Sequence, residues 1–239
     1  MAKKWFLRQY FSDLADLIKR RRARMGTSWE RALGHFEAVF IDHACFRLIY
    51  DNRYRISPRM FRASQVSPSH VRKAAELGVK TIINLRGQRD CASYILEDEA
   101  CRRYGITLVD FPVNSRDTPK RETLHAARRM FETIEYPALM HCKSGADRAG
   151  FMAALYMFVH EKVPLDEAVK QLHWKYGHFK QAKTGILDYF FDLYRAYNER
   201  HPIDFWRWVD TVYDPAEAKA SFRSREWANT VVDRLLARE

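Results

Sequence analysis

Short apolar runs alternate with amphipathic segments over most of the chain. Apolar runs at residues 60–63, 80–85, 106–113 and 138–141 predict strands, and three- and four-residue apolar spacing predicts helices at 69–77, 94–104, 121–135, 148–160, 165–176 and 184–200. Gly78 marks the end of the first helix. Strands and helices that alternate in this order form a central, mostly parallel sheet with helices on its faces, so the sequence predicts an α/β fold.

The 239 residues are enough for one full domain with terminal additions. We expect this domain at residues 55–200, a basic amphipathic helical extension at 1–54, and a helical, aromatic-rich extension at 201–239 with a last helical stretch from Ser224. The aromatic residues of the C-terminal extension are Phe205, Trp206, Trp208 and Tyr213. They fit three roles, which are contact with the N-terminal helices, a dimer surface, and a lipid interface.

Positive charge is concentrated at the N-terminus. Residues 1–26 hold eight basic and two acidic residues, a net +6 of the +11 of the whole chain. Over residues 1–24 the spacing predicts a helix with an apolar aromatic face beside a basic one. Such a helix fits binding to an anionic membrane surface and fits packing on the domain equally well. Charged residues interrupt the apolar run, so no transmembrane span or secretory signal is predicted. No nucleic-acid-binding motif accompanies the charge, which disfavours a nucleic-acid partner.

A cysteine, a glycine and an arginine lie between a predicted strand and a predicted helix. Cys142 follows the strand, and Arg148 lies at the start of the helix. A chain that turns from a strand into a helix points successive amides inward, Gly145 permits the tight turn, and the resulting positive field favours a thiolate at Cys142. The sequence therefore predicts a phosphate-binding nucleophile loop. Its phosphate-binding residues are Lys143, Ser144, Gly145, Ala146, Asp147 and Arg148.

The stretch HCKSGADRAG, residues 141–150, contains the pattern His-Cys-x5-Arg. In this motif, and over residues 55–197, the chain resembles the cysteine-dependent protein tyrosine and dual-specificity phosphatases, most of all their bacterial members. The resemblance implies a protein tyrosine phosphatase-like fold and hydrolysis of phosphate monoesters in two steps through a phosphocysteine intermediate. It also implies that Cys142 is the nucleophile and that Arg148 binds the phosphoryl oxygens.

The resemblance further implies a general acid on a mobile loop upstream of the cysteine. Asp110 lies inside a predicted strand, whereas Asp117 lies in the loop at 114–119, so Asp117 is preferred and Asp110 is the alternative. In related phosphatases a polar group from a later loop orients the hydrolytic water, and Gln181 matches it. The alternative for residues 174–185 is a polar connection between two helices with solvated lysines.

One departure from the family pattern concerns the second step. Most members carry a serine or threonine after the arginine, where its hydroxyl assists breakdown of the intermediate, and this chain carries Ala149. Three outcomes follow: slow hydrolysis of the intermediate, replacement of the hydroxyl by another donor such as Ser144, or a phosphate-binding module that has lost turnover.

The substrate is predicted as one of two classes. The first is a phosphoprotein, chiefly one with phosphotyrosine, and the second is a phosphorylated lipid or sugar headgroup at a membrane surface. A wide site ringed by Lys143, Arg116 and Lys183 would favour the second class.

The four cysteines and nine histidines show no metal-ligand spacing, so neither a metal site nor another cofactor is predicted. A thiolate-dependent loop requires a reducing compartment. We therefore expect no structural disulfide and a cytoplasmic protein, peripheral at the inner face of the membrane if the N-terminal helix binds there.

Overall fold

The computed structural model describes residues 52–224. The predictions for residues 1–51 and for residues 225–239 lie outside the described residues, and these include the basic amphipathic helix at 1–24.

Strands and helices alternate along the described chain. They are β1 (Tyr54–Arg55), β2 (Met60–Ala63), α1 (Pro68–Glu76), β3 (Thr81–Asn84), α2 (Ala92–Tyr104), β4 (Thr107–Asp110), α3 (Arg121–Thr133), β5 (Ala138–His141), α4 (Asp147–Val159), α5 (Leu165–Ala168), α6 (Ile186–Arg200) and α7 (Phe205–Thr211). Three short 3-10 turns, Val169–Gln171, Trp174–Tyr176 and Lys183–Gly185, connect α4 to α6 together with α5. Residues 215–224 are also helical.

The five strands form one sheet in the order β1-β2-β5-β3-β4. The pairs β2–β5, β5–β3 and β3–β4 are parallel, and β1 adds an antiparallel edge to β2. The predicted α/β fold with a mostly parallel central sheet is therefore confirmed.

The two faces of the sheet pack against different helices because side chains alternate along a strand. Ile82 and Leu139 lie in a core cluster with residues of α1 and α2, whereas Ile83 and Met140 lie in the larger cluster with α3, α4 and α6. All four residues of β3 and of β5 are buried. Burial on both faces explains why apolar residues stand next to each other in these strands, as Ile82 and Ile83 do in β3 and Leu139 and Met140 in β5.

The C-terminal aromatic residues Phe205, Trp208 and Tyr213 lie in the larger core cluster. The ring of Tyr213 stacks on Trp208, with centroids 5.0 Å apart, and meets the edge of Phe190 of α6 at the same distance. Packing inside the domain was not among the three roles considered from the sequence. The described part of the C-terminal extension thus shares its core with α4 and α6.

Several predicted boundaries were wrong, each for a local reason. The helix expected at 165–176 is only the four-residue α5 followed by 3-10 turns, since the carbonyl of Gln171 turns toward a buried arginine. The strand expected at 106–113 ends at Asp110, and Pro112 just beyond it has no amide hydrogen to donate. The last helix starts at residue 215 rather than 224, because the Asp214 carboxylate accepts hydrogen bonds from the amides of Ala216 and Glu217.

The edge strand β1 was not predicted, whereas the helix α7 lies in the C-terminal extension that was predicted to be helical. The amino end of α7 is capped by Asp204, whose carboxylate accepts from the amides of Trp206 and Arg207 at 2.9 and 3.1 Å. Among residues 52–224 no helix is both long enough and apolar enough to cross a membrane.

Candidate active site

The nucleophile loop, residues 142–148, joins β5 to α4 at the carboxyl end of the parallel strands. His141, the last residue of β5, pairs with Ala63 of β2 on one side and with Asn84 of β3 on the other. Cys142 follows directly and is only 2 % exposed. The loop therefore lies at the edge where open parallel sheets generally bind their ligands.

Gly145 allows the loop to pass close to the end of β2. Its φ is +73°, a left-handed conformation that other residues rarely adopt. A Cβ atom at this position would lie 2.8 Å from the backbone of both Ala63 and Ser64, too close for any side chain. The predicted tight turn at Gly145 is confirmed, and glycine is needed there for both conformation and space.

Arg62 of β2 holds the loop from outside. Its side chain is fully buried, and its guanidinium donates to the carbonyl oxygens of Gly145 at 2.6 Å and Ala146 at 3.1 Å. It also donates to the backbone and side-chain oxygens of Gln171, at 2.7 and 2.9 Å, and lies 4.1 Å from the ring centroid of Tyr176. One buried cation therefore links the nucleophile loop to the turns that follow α5.

Asn52 completes this outer support. Its amide nitrogen donates to the carbonyl oxygen of Ser144 at 2.8 Å and to that of Tyr176 at 2.9 Å. Together Asn52 and Arg62 occupy three consecutive loop carbonyls, those of residues 144–146. In a trans peptide the N–H points opposite to the C=O, so the next three amides face the other side of the loop. Such a row of inward amides is an anion-binding concavity.

The remaining loop side chains differ in their surroundings. Lys143 and Ser144 are exposed, and Arg148 is half-buried. Within residues 52–224 the Arg148 guanidinium has no hydrogen-bond or ion-pair partner, which leaves all its N–H groups available to an anion. The Ser144 hydroxyl lies 3.4 Å from the amide nitrogen of Ala146.

His141, beside the nucleophile, belongs to a buried polar chain. Its Nε2 lies 2.6 Å from Oε1 of Glu97 of α2, and both side chains are fully buried. The other Glu97 oxygen accepts from the Gln65 amide at 2.6 Å, and Gln65 in turn accepts from Arg86. Gln65 also donates its backbone N–H to the carbonyl of Lys143 at 3.2 Å. This chain therefore supports the strand end and the first part of the loop.

His178 connects the other end of the loop to the later turns. Its two ring nitrogens lie 2.8 Å from Asp147 Oδ1 and 2.6 Å from Asp188 Oδ2. Burial alone would lower the pKa of His178, but hydrogen bonds to the two carboxylates outweigh it and raise the pKa to about 9. A charged His178 between two carboxylates joins α4 and α6, so Asp147 supports the packing of the loop's end against the later helix.

The two candidate acids occupy different surroundings. Asp110, at the end of β4, accepts from the Asn84 amide at 2.8 Å and from the Tyr94 hydroxyl at 2.6 Å. Asp117 lies in the loop beyond β4, where its carboxylate accepts from the Thr118 amide at 2.9 Å and from Lys219 at 2.8 Å. Within residues 52–224 neither oxygen of Asp117 hydrogen-bonds to the nucleophile loop.

The other predicted residues lie on the surface in two different segments. Gln181 and Lys183 are exposed in the turns before α6, and Arg116 is exposed in the loop of Asp117. Gln181 lies three residues beyond the buried His178, which ties this segment to the start of α4. Ala149 is fully buried in the first turn of α4.

Four supporting residues were missed from the sequence: Asn52, Arg62, Glu97 and His178. Arg62 carried the clearest signal, because a cation inside a buried strand requires a partner. Asn52 lies just before the domain start expected at residue 55. Among the described residues no group of three or more His, Cys, Asp or Glu side chains is arranged to hold a metal ion.

Comparisons with known proteins find phosphatases similar to this chain. A protein-family model described as "PTP-NADK: DSP-PTPase phosphatase fused to NAD+ Kinase" matches residues 50–186, more than half of the chain. The dual specificity protein phosphatase TpbA of two Pseudomonas aeruginosa strains is 30 % identical over 111 residues and 27 % identical over 130 residues. These matches cover 45 % and 53 % of this chain and 47 % and 56 % of the relatives, so the chain spans about half the length of the curated relatives it matches.

The crystal structure of P. aeruginosa TpbA is similar at 23 % identity and a TM-score of 0.49, over 59 % of this chain and 84 % of that one. The family match covers more than half of the chain and contains the nucleophile loop, Arg62 and both candidate acids. The chain therefore belongs to the DSP-PTPase phosphatase family, whose description also names a fusion to NAD+ kinase.

Proposed function

We propose that the protein is a cysteine-dependent phosphatase that hydrolyses phosphate monoesters through a phosphocysteine intermediate on Cys142. The main support for this proposal is that Asn52 and Arg62, outside the loop, donate hydrogen bonds to three consecutive loop carbonyls. These hydrogen bonds turn the opposite amides toward the side on which a phosphoryl group would bind. The thiol at the end of β5 and the Arg148 guanidinium, which has no partner among residues 52–224, supply the nucleophile and the phosphate-binding cation.

In the first step the Cys142 thiolate forms a bond to phosphorus as the bond to the ester oxygen breaks. Asp117 donates a proton to that oxygen, so the leaving group departs as a neutral alcohol or phenol. Arg148 and the loop amides bind the non-bridging oxygens throughout. In the second step water attacks phosphorus and gives a proton to the Asp117 carboxylate, the phosphorus–sulfur bond breaks, and the cysteine leaves as a thiolate with release of inorganic phosphate. Gln181 is proposed to orient that water.

The proposed substrate is a phosphoprotein. This choice rests on the similar relatives, which are dual specificity protein phosphatases. The second class, a phosphorylated lipid or sugar headgroup, depends on membrane binding by residues 1–24. A trapping variant of the full chain, exposed side by side to phosphopeptides and to anionic phospholipids, separates the two classes.

The experiment that tests the chemistry compares two cysteine-to-serine variants on p-nitrophenyl phosphate. Cys142→Ser should abolish phosphate release, because a serine hydroxyl stays protonated at neutral pH. Cys91→Ser is the matched control, since Cys91 is a partly exposed free thiol just before α2. Full activity in Cys142→Ser would contradict the proposal, as would an equal loss in both variants.

A further inference from the structure

The C-terminal segment holds the loop that carries the proposed acid. We call residues 213–219 the C-terminal clasp and residues 114–120 the aspartate loop. Three hydrogen bonds, each from a side chain to a backbone carbonyl, join the clasp to the aspartate loop and to the residue that follows it. The Tyr213 hydroxyl donates to the carbonyl of Pro119 at 2.8 Å, the Thr118 hydroxyl donates to the carbonyl of Pro215 at 2.8 Å, and Arg121, just after the loop, donates to the carbonyl of Tyr213 at 2.7 Å.

The clasp is fixed in the domain core. Tyr213 is 2 % exposed and packs between Trp208 and Phe190, and Ala218 is 4 % exposed in the same core cluster. Lys219 follows Ala218 on the helix that starts at residue 215, so its position relative to the aspartate loop is set by buried contacts.

Lys219 makes the fourth contact, and it is with the proposed acid itself. Its ammonium donates to Oδ2 of Asp117 at 2.8 Å, while Oδ1 accepts from the Thr118 amide at 2.9 Å. Both charged side chains are about one-third exposed, at 34 % and 32 %. The pair is therefore partly screened by solvent and can open without the full cost of breaking a buried ion pair.

This arrangement has an electrostatic consequence. The hydrogen bond from Lys219, helped by the Thr118 amide and opposed by partial burial, holds the pKa of Asp117 below its usual value. The other titratable groups of the clasp are Tyr213, whose pKa is raised mainly by burial, Asp214 and Glu217. Arg116 neighbours Asp117 within the loop. An ionised carboxylate has no proton to donate, so the contact observed here is a resting state of the acid.

We propose that Lys219 is a positioning residue for Asp117. Lys219 holds the Asp117 carboxylate in an ion pair away from the nucleophile loop. When this pair opens, Asp117 turns to the leaving oxygen of the substrate. The inference rests on the proposed function, because it assigns a state to the acid of that reaction. The clasp lies beyond the matched family region, which ends at residue 186. The clasp therefore contributes a contact to the proposed acid from outside the matched family region.

The test is a pH profile of kcat/KM for the full chain on phenyl phosphate, an ester whose leaving group needs protonation. The fall of kcat/KM on the alkaline side reports the loss of the acid's proton in the free enzyme. Lys219→Met should move that fall to higher pH, since removal of the ammonium lets the pKa of Asp117 rise. Above the wild-type midpoint, kcat/KM should increase by up to about fivefold, which corresponds to an exposed ion pair of about 1 kcal/mol.

Three matched measurements support the comparison. Lys219→Arg should keep the wild-type profile, because it keeps the charge. Lys170→Met removes a lysine that pairs with Glu167 on the surface, at 2.7 Å, and should also leave the profile unchanged. With p-nitrophenyl phosphate the effect of Lys219→Met should nearly vanish, since this leaving group needs little protonation.

Two results would overturn the inference. One is an unchanged alkaline limb in Lys219→Met and also in Lys219→Gln, the second variant in case methionine destabilises the helix. The other is a shift that persists when Asp117→Asn is already present, which would assign the effect to another group. Failure of the proposed function looks different, because then phosphate release in the wild type would not depend on Cys142 at all.

Discussion

Replacement of Arg62 by methionine tests whether one buried cation supports the nucleophile loop. The guanidinium donates four hydrogen bonds, to the carbonyls of Gly145 and Ala146 and to both oxygens of Gln171, and it contacts the ring of Tyr176. Methionine has similar length and no donor, so the variant leaves four buried acceptors without this partner. Each hydrogen bond from a charged donor contributes about 1.5–3 kcal/mol, but part of this sum offsets the cost of burying the guanidinium.

We therefore expect Arg62→Met to lower the free energy of unfolding by about 3–5 kcal/mol, the range for removal of one partner of a buried charged group. This is a large fraction of the total stability of a typical domain, about 5–15 kcal/mol. Urea denaturation followed by tryptophan fluorescence measures the change. At low urea, where the variant is still folded, kcat/KM on p-nitrophenyl phosphate should also fall, because the loop carbonyls are no longer fixed.

The control is Arg72→Met, which removes an arginine of α1. The Arg72 side chain is 56 % exposed and lies 3.7 Å from Glu76 on the same helix, so its loss should cost less than about 1 kcal/mol. A loss below about 1 kcal/mol in Arg62→Met, or the same loss in both variants, would refute the support assigned to Arg62.

Three further predictions concern charge, turnover and the N-terminus. The pKa of His178 is about 9 in the folded protein, compared with about 6.5 in the unfolded chain. The charged His178 therefore stabilises the folded state fully below pH 6.5, and this stabilisation is lost as the pH rises through 9. The stability difference between wild type and His178→Gln, measured by urea denaturation, should thus shrink by up to about 3 kcal/mol over that range, and a constant difference would contradict the ion-pair cluster. Rapid mixing with an activated aryl phosphate should show a burst of phenol, and Ala149→Ser should speed the steady phase. No burst and no gain would mean that another group already assists breakdown. Deletion of residues 1–24 should abolish sedimentation with anionic vesicles and spare activity on soluble aryl phosphate, whereas aggregation of the truncated chain would assign those residues to the domain core.

Local sequence patterns predicted the parts of the structure that depend on neighbouring residues. The strands at 60–63 and 138–141 were predicted with their observed limits, and the nucleophile loop followed from the order of strand, Cys142, Gly145 and Arg148. In each case the determinant is periodicity or a backbone requirement within a few residues.

Polar contacts between distant segments could not be predicted in the same way. The partners of Arg62 lie at residues 145, 146 and 171, and the partner of Asp117 lies at residue 219. Local sequence patterns do not predict such pairs, because these contacts depend on how the sheet and the later helices pack. The C-terminal aromatic residues were also predicted only as a patch, since a stripe of rings has the same spacing whether it faces a core or a partner.

The phosphocysteine intermediate on Cys142 is the central claim, and it can be detected directly. The full chain would be mixed with an aryl phosphate, quenched in acid within the burst phase, digested, and analysed by mass spectrometry for peptides that carry phosphate. We predict one phosphoryl group on the peptide that contains Cys142, present in the wild type and missing from Cys142→Ser. Phosphate release in the wild type with no label on Cys142, or with the label on a different side chain, would contradict the account.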